Sequence, residues 1–491
     1  MKNKKKFYFI QTFEIILRFS KKYINILFPI FFFLISFFGV INHEIWRDEW
    51  EIWLMARESK DLINFFEISK YQGHPQLWGL LLFSLHSLNL EYQYMQILSI
   101  SLATAYSFLI FSKAPFNIIL KILIILNFYF LYEYNIVSRN YGLGVFLIFL
   151  SLEFIKRKKE FLSYSLIIMS FYSHTFFIPI GCSIIALKYL YNYKDLLLKK
   201  ELFKLFIILI FAFLSLNHAT PPMDGFWYKD IVYELNSFNI SVFIKKFISQ
   251  LHPISISSFV YNSVGHEIDI IIRFICFFSL LFQFKSINSK IFYISIVLFY
   301  SFCGTFVSFS SRHFGFMWVA FFAILWFEYQ SHGYKDCDFK LWLKKPMNIL
   351  FLVCILQSSF WGVSALVGDI NNTYSNSKNA SKYLESNLKG NEKIFTDIDY
   401  TGQSILGYLN YSSFHTYYGE YSYARWQKDI DRNGTKPMKK KIDFSFYDYI
   451  ILSKEIDIDN FEMVWNENNG FFSASNARDE NYYIYKRRLN D

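Results

Sequence analysis

The chain has no Cys-x-x-Cys pair among its five cysteines, Cys182, Cys276, Cys303, Cys337 and Cys354. Four fall in apolar runs and one in a polar loop, which argues against a disulfide framework or a structural zinc and for buried thiols. No zinc-finger spacing, glycine-rich phosphate loop or helix-turn-helix pattern is present, so nucleic acid is not an expected partner. Internal repeats and low-complexity tracts are missing too. The Lys-rich start runs into an apolar stretch that continues to Val40 without a small-residue cleavage site, so no cleavable signal is expected. The net charge of +10 does not form a basic face, because Lys and Arg gather in short loops.

What the chain has in abundance is apolar and aromatic surface. Of 491 residues 53% are hydrophobic and 22% aromatic, with 59 Phe and 36 Tyr, in repeated long apolar runs. This composition predicts a polytopic all-α membrane protein. Lys2, Lys4, Lys5, Lys6, Lys21 and Lys22 precede the first span and place the N-terminus on the cytoplasmic side, after a short interfacial helix over 7–19. Spans are expected at 23–41, 94–112, 116–132, 142–155, 161–173, 175–192, 203–217, 267–284, 291–309, 314–329 and 346–367. The apolar stretch 75–88 is too short for an untilted span, which needs about 20 residues. It is expected to lie in the outer leaflet as a juxtamembrane helix. With about eleven spans, every short basic loop falls on the cytoplasmic side.

From Asp369 onward the chain is polar, with a helix expected over 376–388 and strands over 393–397, 449–452 and 482–485. The organisation is thus a transmembrane domain, 1–368, with outer loops at 42–93 and 218–265. A small C-terminal α/β domain, 369–491, would sit outside the cytoplasm.

This orientation brings the polar motifs to one face, although none of them was used to set it. Trp46-Arg47-Asp48-Glu49, Gly73-His74-Pro75, Glu133 with Arg139, His174, and Arg312-His313 all end on the outer side. Separate loops supplying carboxylates, imidazoles and guanidiniums to one face are what a shared site requires. Asp48 and Glu49 are adjacent and on a helix would diverge by about 100°. One could then abstract a proton while the other pairs with Arg47 or a metal; first-turn capping acids are an equal reading. Glu133 ends an apolar span between Tyr132 and Tyr134. It is either an incidental acid in an aromatic belt or the carboxylate that, with Asp48, completes a site for Mg²⁺ or Mn²⁺. Arg139 and Arg312 suit a phosphate, or a lipid headgroup. His74, His174 and His313 could bind phosphate or metal or transfer protons, against a structural role. His43, His218, His252 and His266 have no supporting constellation. The Pro221–Tyr228 segment is either a lid or a connector.

These motifs resemble the C-type glycosyltransferase superfamily, in the branch of protein O-mannosyltransferases and the lipid A aminoarabinose transferase. The resemblance is carried by Arg47-Asp48-Glu49, by His74-Pro75-Gln76-Leu77-Trp78, and by Glu133 with Ser138-Arg139-Asn140-Tyr141-Gly142. It is good over about 45–180 and weak beyond. It implies that Asp48 is the catalytic carboxylate, with Glu49 beside it, and that Glu133 contributes to metal or donor-phosphate binding. His74 takes the position of a donor-phosphate contact that is usually Lys, and Gly73 stands where the aminoarabinose branch has an acid. The implied reaction moves one sugar from a polyprenyl-phosphate donor to a lipid, glycan or protein acceptor at the outer face of the cytoplasmic membrane, with inversion. Asp48 would be general base, and Arg139, Arg312, His74 and His313 would stabilise the departing phosphate. The rival classes are a lipid or sugar transporter, which would favour ionisable residues at the bilayer midplane, and a non-catalytic envelope-assembly subunit.

Overall fold

The computed structural model describes residues 23–191, 198–223, 239–251, 266–306, 311–334, 342–397, 399–409, 414–416, 419–421, 443–467, 475, 477 and 480–488. The interfacial helix at 7–19, Cys337, His252 and the Pro221–Tyr228 segment from 224 onward lie outside the described residues. The protein is mostly helical (72%), with a small C-terminal sheet.

Five helices among the described residues are long and apolar enough to cross a membrane. They are α1 (Tyr23–Asn42), α5 (Gln93–Lys113), α10 (Lys199–Ala219), α13 (Ile287–Phe306) and α15 (Pro346–Asn371). The most apolar stretch of α10 is only 17% buried, and its outward face exposes Phe203, Phe206, Leu209 and Phe213. A water-facing helix would not carry that surface, so these faces are compatible with a membrane protein. The other apolar helices are shorter: α7 (Tyr141–Lys156), α8 (Glu160–Ser173), α9 (Phe177–Tyr191), α12 (His266–Leu281) and α14 (Gly315–Ser331). At 1.5 Å per residue they reach about 21–26 Å, less than a hydrocarbon core of about 30 Å. Of the eleven expected spans, five coincide with helices of full length among the described residues.

α14 is apolar all round and buried from Gly315 to Glu328, as a helix at the centre of a bundle must be. Glu328, near its end, accepts hydrogen bonds from the Lys285 and Ser286 amides (2.8 and 2.7 Å) ahead of α13. The segment expected as one span over 116–132 is broken. α6 (Ile118–Leu126) stops where Gly362 of α15 comes so close to the Leu126 carbonyl that a Cβ there would have no room. The chain resumes as a π-helical turn, Tyr129–Glu133, in which the Tyr134 amide reaches back to the Tyr129 carbonyl (2.8 Å). Such turns are rare and recur at functional sites. Between α1 and α5, the loop folds into α2 (Arg47–Glu58), α3 (Leu62–Ser69) and α4 (Leu77–Ser87), the last covering the short apolar stretch expected as a helix over 75–88.

The C-terminal domain has α11 (Ile240–Gln250) far behind it in sequence and is built from α16 (Ser377–Asn387), α17 (Asp399–Tyr408) and six strands. The strands are β1 (Ile394–Thr396), β2 (Phe414–Thr416), β3 (Gly419–Tyr421), β4 (Tyr449–Leu452), β5 (Phe461–Glu467) and β6 (Tyr482–Arg487), in the order β3-β2-β1-β4-β6-β5. β1 runs parallel to β2 and β4; the other pairs are antiparallel. Alternation along β4 sends Tyr449 and Ile451 to the face covered by Leu384 and Ile405, and Ile450 and Leu452 to the other. The domain sits on α2. Trp50, fully buried, packs against the Tyr408 ring (4.8 Å between centroids), and the Tyr408 hydroxyl accepts from the Ile45 amide (2.8 Å). Gly407 lies against the Trp50 indole with no space for a Cβ.

Gly407→Val forces a branched side chain into that indole, and overpacking of this kind costs about 1–3 kcal/mol. The expected outcome is a lower thermal midpoint and faster proteolytic release of the C-terminal domain. An unchanged digestion pattern would contradict the docking.

Candidate functional site

The site begins at the first turn of α2. Trp46 is its N-cap, and the Glu49 carboxylate reaches back to the Trp46 amide (3.4 Å), as the N3 acid of a capping box does. The helical offset between neighbours then sends Asp48 and Glu49 to different partners.

Glu49 points inward and is fully buried. Its Oε1 accepts from the Ser138 amide (2.6 Å) and its Oε2 meets His43 Nε2 (3.0 Å). His43 Nδ1 in turn contacts Asp369 Oδ2 (2.7 Å), which also accepts from the Tyr132 hydroxyl (2.8 Å). Burial alone would lower the His43 pKa, but the carboxylates of Asp369 and Glu49 outweigh it and raise it to about 10. An imidazolium between two carboxylates thus ties the first loop, the second loop and the last turn of α15 together. Asp369 lies within α15, so the polar tail begins inside this helix.

Asp48 faces the other way, with its side chain 20% exposed. Its Oδ2 receives Arg139 Nη1 (2.6 Å) and Arg312 Nη1 (2.5 Å), while Arg47 Nε stands 3.8 Å from Oδ1. Burial would raise this carboxyl, yet the guanidiniums of Arg312, Arg139 and Arg47 hold it well below the usual carboxylate range. Each arginine is placed by its own loop. Ser138, beside Arg139, is fixed by Glu49, and Asn140 donates to the Ser173 carbonyl (2.7 Å). The Tyr134 hydroxyl donates to the Arg312 carbonyl (2.7 Å). The Trp46 ring carries Arg47 on one contact and Arg312 on another, at 5.2 and 5.5 Å.

Beside this centre His74, His174 and His313 form a cluster with Tyr141. Ring centroids are 5.2 Å apart for His74–His174 and 6.0 Å for His174–His313, and Tyr141 Oη is 3.5 Å from His313 Nε2. Burial, reinforced by the neighbouring guanidiniums, pushes the His74 pKa down to about 3 and those of His174 and His313 well below the ordinary value. All three are neutral at pH 7. A narrow cleft with a volume of about 20 Å³, room for little more than a water molecule, borders this centre and is lined by Asp48, Gln72, His74, Trp78, Arg139 and Asn140 among others.

Glu133 is buried on the π-helical turn, and its Oε1 has no hydrogen-bond partner. Burial pushes its carboxyl up to about 7, against the pull of Arg312 and Arg139. The divalent cation expected over Glu133 and Asp48 does not fit this arrangement. Asp48 already receives two guanidiniums on one oxygen, and no three His, Cys, Asp or Glu side chains among the described residues stand where they could hold a metal. Positive charge at this point comes from arginine.

The structure therefore brings together Arg47, Asp48, His74, Arg139, Tyr141, His174, Arg312 and His313, and gives Glu49 a positioning role behind them. Sequence reasoning missed His43, Asp369, Tyr132 and Trp46 as contributors. An acid ending the last apolar span, as Glu133 ends an earlier one, was the available signal for Asp369. No family model matches the chain, and no curated protein is significantly similar to it.

The His43 network carries a pH signature. A folded pKa raised above 6.5 to about 10 gives stability that is fully present below pH 6.5 and lost as pH rises through about 10. The thermal midpoint of the wild type should exceed that of His43→Gln most at pH 6, with the gap closing toward pH 10. A gap that widens with pH would contradict the assignment.

Proposed function

We propose that the protein is a multi-pass membrane glycosyltransferase that moves a sugar from a polyprenyl-phosphate donor to a lipid, glycan or protein acceptor at the outer face of the cytoplasmic membrane. The observation that carries this reading is the meeting of Asp48, Arg139 and Arg312, from three separate segments of the chain, beside a cleft that Asp48 and Arg139 line. A carboxylate within reach of two guanidiniums is a base beside a phosphate site. The motif resemblance over the first two outer loops supports the same class. The eleven-span topology, with the N-terminus cytoplasmic, would place these loops and the C-terminal domain on the outer side, where the lipid anchor holds the donor at the cleft.

In this reaction the acceptor oxygen attacks the anomeric carbon and the carbon–oxygen bond to the phosphate breaks. The bonding electron pair leaves with the phosphate, whose charge Arg139 and Arg312 neutralise as it develops. The acceptor proton passes to Asp48. Neutral His74 offers an N–H donor at the cleft, with His313 and Tyr141 in the ring cluster beside it. Attack from the face opposite the leaving phosphate inverts the anomeric centre. Glu49 holds the helix and the second loop in register and takes no proton.

Membranes carrying wild type or Asp48→Asn, given a panel of radiolabelled polyprenyl-phosphate sugars, test the reading. Wild type should transfer one sugar, and Asp48→Asn should lose about 10²–10⁴-fold of that rate with normal expression. Equal rates would remove Asp48 as base. No transfer from any donor by folded wild type would remove the glycosyltransferase reading.

A further inference from the structure

We propose that Asp48 is an internal stand-in for the donor phosphate: it bridges Arg139 and Arg312 in the resting site, and an incoming phosphate ester displaces it and so frees it to act as base. This inference rests on the reading above and adds a control step to it.

Both guanidiniums converge on the same oxygen, Asp48 Oδ2, at 2.6 and 2.5 Å. Two like charges so placed repel each other unless an anion sits between them, and an oxygen of a phosphate is the other anionic acceptor that guanidiniums commonly bind. The position Asp48 occupies is thus the position a phosphate would take. Asp48 also borders the cleft and is partly exposed, so a ligand entering there meets it directly. Behind it, Glu49, His43 and Asp369 hold α2 without help from Asp48. The carboxylate can therefore swing away without loosening the helix.

Displacement also resolves a chemical conflict. A general base works best with a pKa near the operating pH, yet Asp48 with its arginines is held far below that. Once a phosphodiester takes the guanidiniums, Asp48 loses its strongest partners while the burial that favours its neutral form remains, so its proton affinity rises. A site without donor then has a silenced base, and the acceptor hydroxyl is activated only when there is a sugar to receive it. After transfer the proton is on Asp48 and the phosphate monoester carries the extra negative charge. Loss of that proton to water lets the carboxylate compete again for Arg139 and Arg312, which helps expel the product.

The test measures binding of a polyprenyl monophosphate to the full-length protein purified in a neutral maltoside detergent. It compares wild type, Asp48→Asn, Asp48→Ala and the Arg139→Gln/Arg312→Gln double variant, each checked for a cooperative thermal transition. If Asp48 occupies the arginines about nine parts in ten, removing its charge tightens binding about tenfold. Both Asp48 variants should show this while losing transfer, and the arginine variant should bind weakly. The same tightening toward phosphatidylglycerol would extend the displacement to any lipid phosphate and supports it equally. Arginine-dependent binding that is unchanged or weaker in both Asp48 variants overturns the displacement and leaves the donor reading in place. No binding by any folded form overturns both.

Discussion

Two half-buried guanidiniums repel one another unless an anion sits between them, and the rest of this site follows from that constraint. Arg139 arrives from the loop before α7 and Arg312 from the turn before α14, and Asp48 on α2 is the charge that lets them meet. Each loop is then held by a neutral device. Tyr134 fixes the Arg312 backbone, Asn140 ties the second loop to Ser173, and the Trp46 ring carries Arg312 across its face. Removing the carboxylate leaves the framework but exposes the repulsion.

A second network, at the same end of the helices, does a different job. Glu49, His43, Asp369 and Tyr132 are closed to water and bonded to one another, Asp369 through its Oδ2. They fix where α2 begins relative to α15 and the second loop. The C-terminal domain adds to this from outside. Glu480 accepts from the Arg47 amide (3.1 Å), the Ser404 hydroxyl (2.9 Å) and the Ser375 hydroxyl (2.5 Å), and Glu44 accepts from the Tyr374 and Ser375 amides (both 3.1 Å). A residue from the far end of the chain thus caps the helix that presents Asp48. The domain is part of the architecture of the site and not an appendage to it.

Much of the helical framework was legible because apolar runs bounded by basic loops leave few alternatives. α7, α14 and α15 fall close to their expected positions, as do α16, β4 and β6, whose patterns are strong. The break at Leu126 was not legible, because its cause is the backbone of Gly362 more than two hundred residues away. The short strands β2 and β3 carry too few residues for an alternation to show. In the site, the gathering of Asp48, Arg139, Arg312 and the histidines on one face was legible from charge placed against the orientation rule. The division of labour between Asp48 and Glu49 was not, since it depends on which of two neighbouring carboxylates turns toward His43. His43 itself looked unsupported because both its partners become neighbours only on folding.

The most direct measurement is an electron cryomicroscopy structure of the full chain with a polyprenyl-phosphate sugar bound. The expected map has phosphate between Arg139 and Arg312, the sugar in the cleft beside His74 and Trp78, and the Asp48 carboxylate turned away from both arginines. A donor bound elsewhere, with Asp48 still bridging Arg139 and Arg312, would contradict the central claim.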